Sequence, residues 1–362
     1  MSTRKYNFNP GPAALPLEVL EEAQERFVDH ERQGISLLEM SHRSRTVEEL
    51  SEETRNLLRT LLALPDSYEV LFMGGGASTQ FALLPMNFLA PGQTANYVLT
   101  GSFAEKAYKE AGYIGHTHIA ASTKEQGWRT VPAVGKDDLR GDPAYLHITM
   151  NNTIEGSCFT QIPDTGGTPL VADVTSEILS RRLDLEKFDL MYAGAQKNLG
   201  PAGVTAVIVR DAWLETASAR IPEIMRYSTF AANKSLFNTP PVHAIYMMNL
   251  VLKWTHQQGG VEQIERHNQR KSQLVYDAID RSDGFYQGVI EAEYRSSMNM
   301  TWRMATEELE RAFIAESVLA GFEGLAGHRS VGGLRASAYN AVTYEACLAL
   351  AEFMNDFARR HG

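Results

Sequence analysis

The sequence predicts an α/β fold, a mainly parallel, doubly wound sheet followed by a smaller C-terminal lobe. Three observations support this. Short apolar runs rich in β-branched and aromatic residues alternate with helical spacings over most of the first 256 residues. Several of these runs stop in polar or glycine-rich turns, at 74–79, 101–103, 151–156, at Asp173 and at Gln196-Lys197, and ligands gather at the carboxyl edge of such a sheet. The stretch Gln257-Gln258-Gly259-Gly260 then marks a boundary, beyond which helices mix with isolated strands.

The chain opens on Tyr6-Asn7-Phe8-Asn9-Pro10-Gly11-Pro12, too proline-rich for a helix or central strand, and reads as an extended arm packed on another part of the molecule. Residues 17–31 have helical spacing, with Val19, Leu20, Ala23 and Phe27 on one face and acids opposite. His42 and Arg43 fall in a hydroxyl-flanked loop just before a charged helix over 47–62. Such a loop either grips an anion or simply caps the helix. A strand over 68–73 runs into Gly74-Gly75-Gly76-Ala77-Ser78-Thr79 and an apolar helix, an order that offers free backbone N–H groups to a phosphate. The turn lacks both the Gly-Lys-Ser/Thr of a Walker loop and the last glycine of a dinucleotide fingerprint.

The run 96–103 reads as a strand entering a turn, where Phe103 either stacks on a planar ring or joins the core. His116 and His118 alternate on a strand with no third ligand nearby, so no metal site is predicted. The strand over 145–150 leads into Asn151-Asn152-Thr153-Ile154-Glu155-Gly156, and that over 169–173 ends in Asp173. Further on, Asn238-Thr239-Pro240-Pro241 halts structure before a long helix over 242–256. Past the boundary come a helix over 261–279, strands near 285–290 and 297–304, a helix over 307–320 and a glycine-rich stretch holding His328, Arg329 and Arg335. A final amphipathic helix runs over 344–360.

The stretch Ala193-Gly194-Ala195-Gln196-Lys197-Asn198-Leu199-Gly200 sets one lysine among small residues between two buried strands. There its amine would be partly desolvated, its pKa lowered and its nucleophilicity towards aldehydes raised, while the small neighbours leave room for a planar partner. Asp173, one strand earlier, would by itself be read as a helix cap. The two together are the pair that pyridoxal phosphate requires, an acid for the pyridine nitrogen and a lysine for the aldehyde.

Bulk properties narrow the remaining classes. The chain has 362 residues, 44% of them hydrophobic, which suffices for two lobes with real cores. A net charge of -10 argues against nucleic-acid and anionic-membrane surfaces, and no apolar run approaches spanning length. Two distant cysteines, Cys158 and Cys347, form neither a disulfide framework nor a metal cluster, and the polar N-terminus lacks a signal-peptide pattern. A cytoplasmic location is expected.

With Lys197, Asp173, the Asn9-Pro10-Gly11-Pro12 arm and Gly327-His328-Arg329-Ser330-Val331-Gly332-Gly333-Leu334-Arg335-Ala336-Ser337 together, nearly the whole chain closely resembles the phosphoserine aminotransferase family. These are fold-type I pyridoxal-phosphate enzymes of the class V aminotransferase group. The resemblance implies a large domain over 16–257 built on a seven-stranded, mainly parallel sheet, and a small α+β domain formed by 1–15 and 258–362. It implies Lys197 as the cofactor lysine and Asp173 as the pyridinium partner. It further implies Ala77, Ser78 and Gln196 at the cofactor phosphate, Thr153 at the ring hydroxyl and Phe103 as the stacking ring. Asn238 and Thr239 would reach the cofactor phosphate of the neighbouring subunit of a homodimer. His42, Arg43, His328 and Arg329 would grip a substrate phosphate, with His328 and Arg329 also assigned to the neighbour's site, and Arg335 would clamp the α-carboxylate.

The implied reaction is ping-pong transfer of an amino group from L-glutamate to 3-phosphohydroxypyruvate, giving O-phospho-L-serine. A related phosphorylated threonine-like oxo acid of pyridoxine synthesis is a further candidate. Two residues depart from the pattern of many members: Phe103 stands where tryptophan is common and Ser78 where some carry arginine. A cysteine desulfurase would need a nucleophilic cysteine on a mobile loop, which neither Cys158 nor Cys347 supplies. A phosphate-binding protein without catalysis would leave Asp173 and Lys197 without purpose.

Overall fold

A computed structural model describes residues 4–362. The first part of the chain gives β1 (Tyr6–Asn7), α1 (Leu17–Glu25), α2 (Arg45–Leu62), β2 (Tyr68–Met73), α3 (Gly76–Phe88), β3 (Gln93–Leu99), α4 (Ser102–Gly112) and β4 (His116–Ser122). There follow β5 (Asp142–Thr149), β6 (Leu170–Asp173), β7 (Leu190–Gly194), β8 (Thr205–Arg210), two short helices, α5 (Asp211–Leu214) and α6 (Tyr227–Ala232), and α7 (Val242–Gln257). The remainder gives α8 (Gly260–Asp280), β9 (Gln287–Gly288), β10 (Asn299–Arg303), α9 (Glu307–Leu319), β11 (Phe322–Glu323), β12 (Leu334–Ser337) and α10 (Tyr344–His361).

Strands β2 to β8 form one seven-stranded sheet in the order β2-β8-β7-β6-β5-β3-β4. Only β8 runs antiparallel to its neighbours, so β2, β3, β5, β6 and β7 all end at the same edge. The runs are apolar on both faces because both faces are covered. Val70, Phe72, Ile148, Ala172 and Ile208 pack one way, with Met248 and Leu252 of α7. Leu71, Tyr97, Tyr145, Val171 and Val207 pack the other way, against Leu84 of α3 and Ala107 of α4. The period of two along each strand thus builds two cores from one sheet.

A separate core joins α8, β10, α9, β12 and α10 through Val275, Met300, Trp302, Phe313, Leu334, Leu350 and Phe357. Phe8 and Ala14 of the N-terminal arm belong to this core, and β1 pairs in parallel with β11. The arm is therefore held at the far end of the chain, over 300 residues away in sequence (Tyr6 opposite Phe322). Among the described residues, no helix is long and apolar enough to cross a membrane.

One predicted helix is shorter than its periodicity. α1 stops at Glu25 rather than near residue 31, and Leu20 and Phe27 remain exposed while Val19 and Ala23 are buried. The cause is local competition for a carbonyl. Ser36 Oγ donates to Phe27 O at 2.7 Å, and the last turn tightens through Phe27 N to Gln24 O. Leu17, Leu20, Phe27, Val28, Ile35 and Leu38 are consequently left with more than a third of their surface open.

Candidate active site

A cavity of about 590 Å³ opens at the carboxyl edge of the sheet, lined by the residues that follow β2, β3, β5, β6 and β7. Asp173 is the last residue of β6, and Lys197 follows three residues after β7. The adjacent parallel strands bring both side chains to one wall. Both are buried, with 6% and 8% of their surface exposed. Burial pulls the Lys197 amine down to about 8, with Arg335 acting in the same sense and Asp173 opposing. Burial also raises the Asp173 carboxyl, which Thr175 and Lys197 partly counteract. No helix follows Asp173; Oδ1 accepts from Thr175 N (2.9 Å) in a tight turn, so the helix-cap alternative does not apply.

The first turn of α3 supplies an anion cradle. Gly75 (φ 95°) and Gly76 (φ 70°) both take the left-handed conformation, and no side chain caps the helix. The Thr79 hydroxyl turns back to Gly75 O (2.9 Å), so the amides around Ala77 and Ser78 face the cavity without a partner side chain. A Cβ at Gly76 would meet nothing within 4 Å, which measures the open space in front of the cradle. Gln196 lines the same wall. From the opposite side, Gly11 of the arm lies against the stem of Lys197, its ideal Cβ position 3.5 Å from Lys197 Cε and Cγ.

Phe103 faces the cavity from the first turn of α4, not from a strand end as its apolar run predicts, with Lys197 Nζ 5.7 Å from the ring centroid. Its placement depends on Glu155, whose Oε1 accepts from Ser102 N (2.8 Å) and Ser102 Oγ (2.7 Å) at the start of that helix. Glu155 is buried, which raises its carboxyl pKa despite those bonds and the nearby Arg335. Thr153 Oγ1 accepts from Lys197 Nζ (2.5 Å), and Arg335 Nη1 donates to Thr153 O (3.0 Å). The buried Nε of Arg335 has no partner, so the guanidinium retains a free donor beside the cavity.

Of the residues singled out by sequence, Ala77, Ser78, Phe103, Thr153, Asp173, Gln196, Lys197, His328 and Arg335 line this one cavity. His42, Arg43, Asn238, Thr239 and Arg329 do not. Four of those five lie on two loops that meet elsewhere, where Thr239 Oγ1 and His42 Nδ1 are 3.2 Å apart and His42 Nε2 is buried without a partner. His328, on the turn at 327–333, lines the cavity of its own chain. The turn at 327–333 folds back over the site, with Gly327 N bonded to Gly333 O at 2.8 Å.

Sequence reasoning passed over Glu155, Gly101, Ser176 and Lys106. Gly101 has an extended φ of 174° that any residue adopts, but an added Cβ would come 2.5 Å from Glu155 Oε2. Lys106 Nζ sits 4.9 Å from the Phe103 centroid and adds positive charge near His328. The helical spacing of 103 and 106 was the available signal, and it is a common one. A larger cavity, about 730 Å³, is walled by Leu61, Ile178, Met191 and Ile208 near the α7–α8 junction. Its two arginines, Arg181 and Arg182, are already paired with Glu177 and Glu262, so chemistry rather than size singles out the smaller cavity.

A family model described as aminotransferase class-V matches residues 5–350. The chain is 55% identical, over its full length and that of the relative, to the phosphoserine aminotransferase of Niallia circulans. It is similar to the solved phosphoserine aminotransferase from Bacillus circulans subsp. alkalophilus, with a TM-score of 0.97, 55% identity and 99% of each chain covered. It is also similar to the pyridoxal-phosphate-bound phosphoserine aminotransferase from Trichomonas vaginalis, with a TM-score of 0.90, 36% identity and coverage of 97% and 99%.

Proposed function

Given that the chain belongs to the class-V aminotransferases, and within them to the phosphoserine aminotransferases, we propose that Lys197, Asp173, Phe103 and the first turn of α3 hold pyridoxal 5′-phosphate. The activity is the transfer of an amino group from L-glutamate to 3-phosphohydroxypyruvate, giving 2-oxoglutarate and O-phospho-L-serine, in serine biosynthesis. The observation that carries the site assignment is the shared burial of Lys197 and Asp173 on one cavity wall, facing an anion cradle.

The residues present fit the cofactor. The uncapped amides around Ala77 and Ser78, with Gln196, suit its phosphate. Asp173, a buried acid with no basic side chain bonded to it, suits a protonated ring nitrogen. When bound, pyridoxal phosphate supplies an aldehyde that carries the amino group and a ring that draws electrons from the reacting carbon. The carboxylate of Asp173 keeps a proton on the ring nitrogen. With its pKa near 8, the Lys197 amine is partly neutral under physiological conditions; it would take the proton from the Cα of the amino-group donor and, in the second half of the reaction, deliver one to the carbon of the acceptor that receives the amino group. Thr153 orients that amine. Arg335, with a free donor beside the cavity, receives the α-carboxylate in the fork geometry that carboxylates favour.

The distal anion, a phosphate or the glutamate γ-carboxylate, meets His328 of the same chain, with the charge of Arg329 close beside it, and His42 and Arg43 of the partner subunit. The apolar surface left open around α1 supports such a homodimer, and the His42–Thr239 contact places those residues in one group that a single partner surface would deliver together. The two separate cores support a division into 16–257 and 1–15 with 258–362. Both cysteines are buried and unpaired, in keeping with a reducing cytoplasm.

Two experiments test this. Borohydride reduction of protein loaded with pyridoxal phosphate should fix the cofactor on the peptide containing Lys197, and its recovery on another lysine would overturn the assignment. Co-expression of Lys197→Ala with Arg43→Ala should restore activity that neither variant shows alone, because mixed dimers regain one complete site. Absence of complementation would place Arg43 in its own chain's site.

A further inference from the structure

We propose that Ser176 is a positioning residue for Lys197, one that obliges the Thr153 hydroxyl to present a lone pair, not its proton, to the amine. The inference rests on the reading of Lys197 as the reacting group and follows from the direction of a buried hydrogen-bond chain. Ser176 Oγ lies 2.8 Å from Asn151 O, a carbonyl that can only accept, so the single hydroxyl proton of Ser176 is committed there. Ser176 Oγ must therefore accept from its other neighbours, Asn151 Nδ2 at 2.9 Å and Thr153 Oγ1 at 3.1 Å. Thr153, having given its proton to Ser176, can only accept from Lys197 Nζ at 2.5 Å.

The far end of the chain fixes the same direction. Tyr339 OH donates to Pro10 O (3.0 Å), so it must accept from Asn299 Nδ2 (3.2 Å), whose other proton goes to Ser337 Oγ (2.9 Å). That sets Asn299 Oδ1 to accept from Asn151 Nδ2 (2.7 Å), which fixes the Asn151 amide. Every residue from Thr153 to Ser337 in this chain is buried, which strengthens these bonds and makes an unpaired group among them costly. Two carbonyls, on the N-terminal arm and at the end of β5, thereby decide which way the Lys197 amine turns. It anchors an N–H at Thr153 and leaves its lone pair, when neutral, to face the cavity.

Without the Ser176 hydroxyl, Thr153 is free to rotate and donate to the neutral amine. The neutral form is then favoured and its lone pair is occupied, so the amine should titrate lower and yet react more slowly. A purely structural defect would not produce that pair of changes. Asp173 of β6, Arg335 of β12 and His328 of the 327–333 turn are the charged or titratable groups facing Lys197, and Ser176→Ala alters none of them.

The test is competitive acetylation of Lys197 in the full-length chain, stripped of bound aldehyde with hydroxylamine, across a pH series and read by peptide mass spectrometry. Relative to wild type, Ser176→Ala should lower the titration midpoint by roughly half to one pH unit and the plateau rate several-fold. Ser176→Thr, which keeps the hydroxyl, should restore both. In a Thr153→Val background, Ser176→Ala should change neither, since the effect passes through Thr153. An unchanged midpoint, or an equal shift in both backgrounds, overturns the proposal. If the alanine variant does not fold, Ser176→Cys applies the same criterion with a weaker acceptor. The readout needs no cofactor, so its outcome is distinguishable from failure of the pyridoxal-phosphate assignment.

Discussion

Replacing Lys197 with methionine should make the cofactor-free protein more stable while abolishing its chemistry. The side chain is buried, and burial draws its amine from 10.5 to about 8. That difference corresponds to roughly 3 kcal/mol of penalty for holding a lysine at this position. The penalty is complete below about pH 8, where the unfolded chain would hold the proton in water. Between about 8 and 10.5 the unfolded chain binds more protons than the folded one, so wild-type stability climbs with pH, and above 10.5 the penalty is gone. Methionine fills similar volume without charge; the lost bond to Thr153 subtracts on the order of 1 kcal/mol at every pH. The variant should therefore gain about 2 kcal/mol near pH 7, and this advantage should shrink by about 2 kcal/mol on moving to about pH 9.5. Urea unfolding of both proteins, at one fixed concentration and several pH values, measures the difference. Lys271, whose amine burial also lowers to about 8, is common to both proteins and cancels. A difference that does not change with pH, or a variant less stable near pH 7, would refute the argument that desolvation sets the reactivity of Lys197.

Two further substitutions probe the walls of the site. Gly101→Ala keeps an allowed backbone but drives a Cβ towards Glu155 Oε2, so the carboxylate must leave Ser102 and the first turn of α4 loosens. Affinity for pyridoxal phosphate, followed by equilibrium titration, should fall about tenfold, with roughly 1–3 kcal/mol lost in stability; unchanged affinity would mean that Phe103 is not held through Glu155. Arg335→Lys keeps the charge but loses the planar fork, and KM for L-glutamate and O-phospho-L-serine should both rise about ten- to a hundredfold in steady-state assays. A rise for one substrate alone would show that Arg335 does not grip the carboxylate they share.

The sequence by itself determined the strands and the chemistry of their ends. Alternating apolar runs punctuated by glycine suffice to place Asp173 and Lys197 at the ends of successive strands, and the small residues around Lys197 already announce a desolvated amine with space in front of it. These are local properties, carried by neighbours within a few positions. The end of α1 was not legible in that way, because the carbonyl of Phe27 is captured by Ser36, nine residues on, in a turn that periodicity does not register. Nor was the place of Phe103, since an apolar run gives no sign of where a strand yields to a helix capped by Glu155, more than fifty residues later.

Only the tertiary structure decided which distant groups meet and in which direction their hydrogen bonds run. It brings Thr239 to His42, the Pro10 carbonyl to Tyr339, and Asn299 of the second lobe to Asn151 beside the lysine. A residue type specifies how many protons it can give or accept. Which ones it does give depends on the partner that packing puts within 3 Å, and burial from water makes that choice binding.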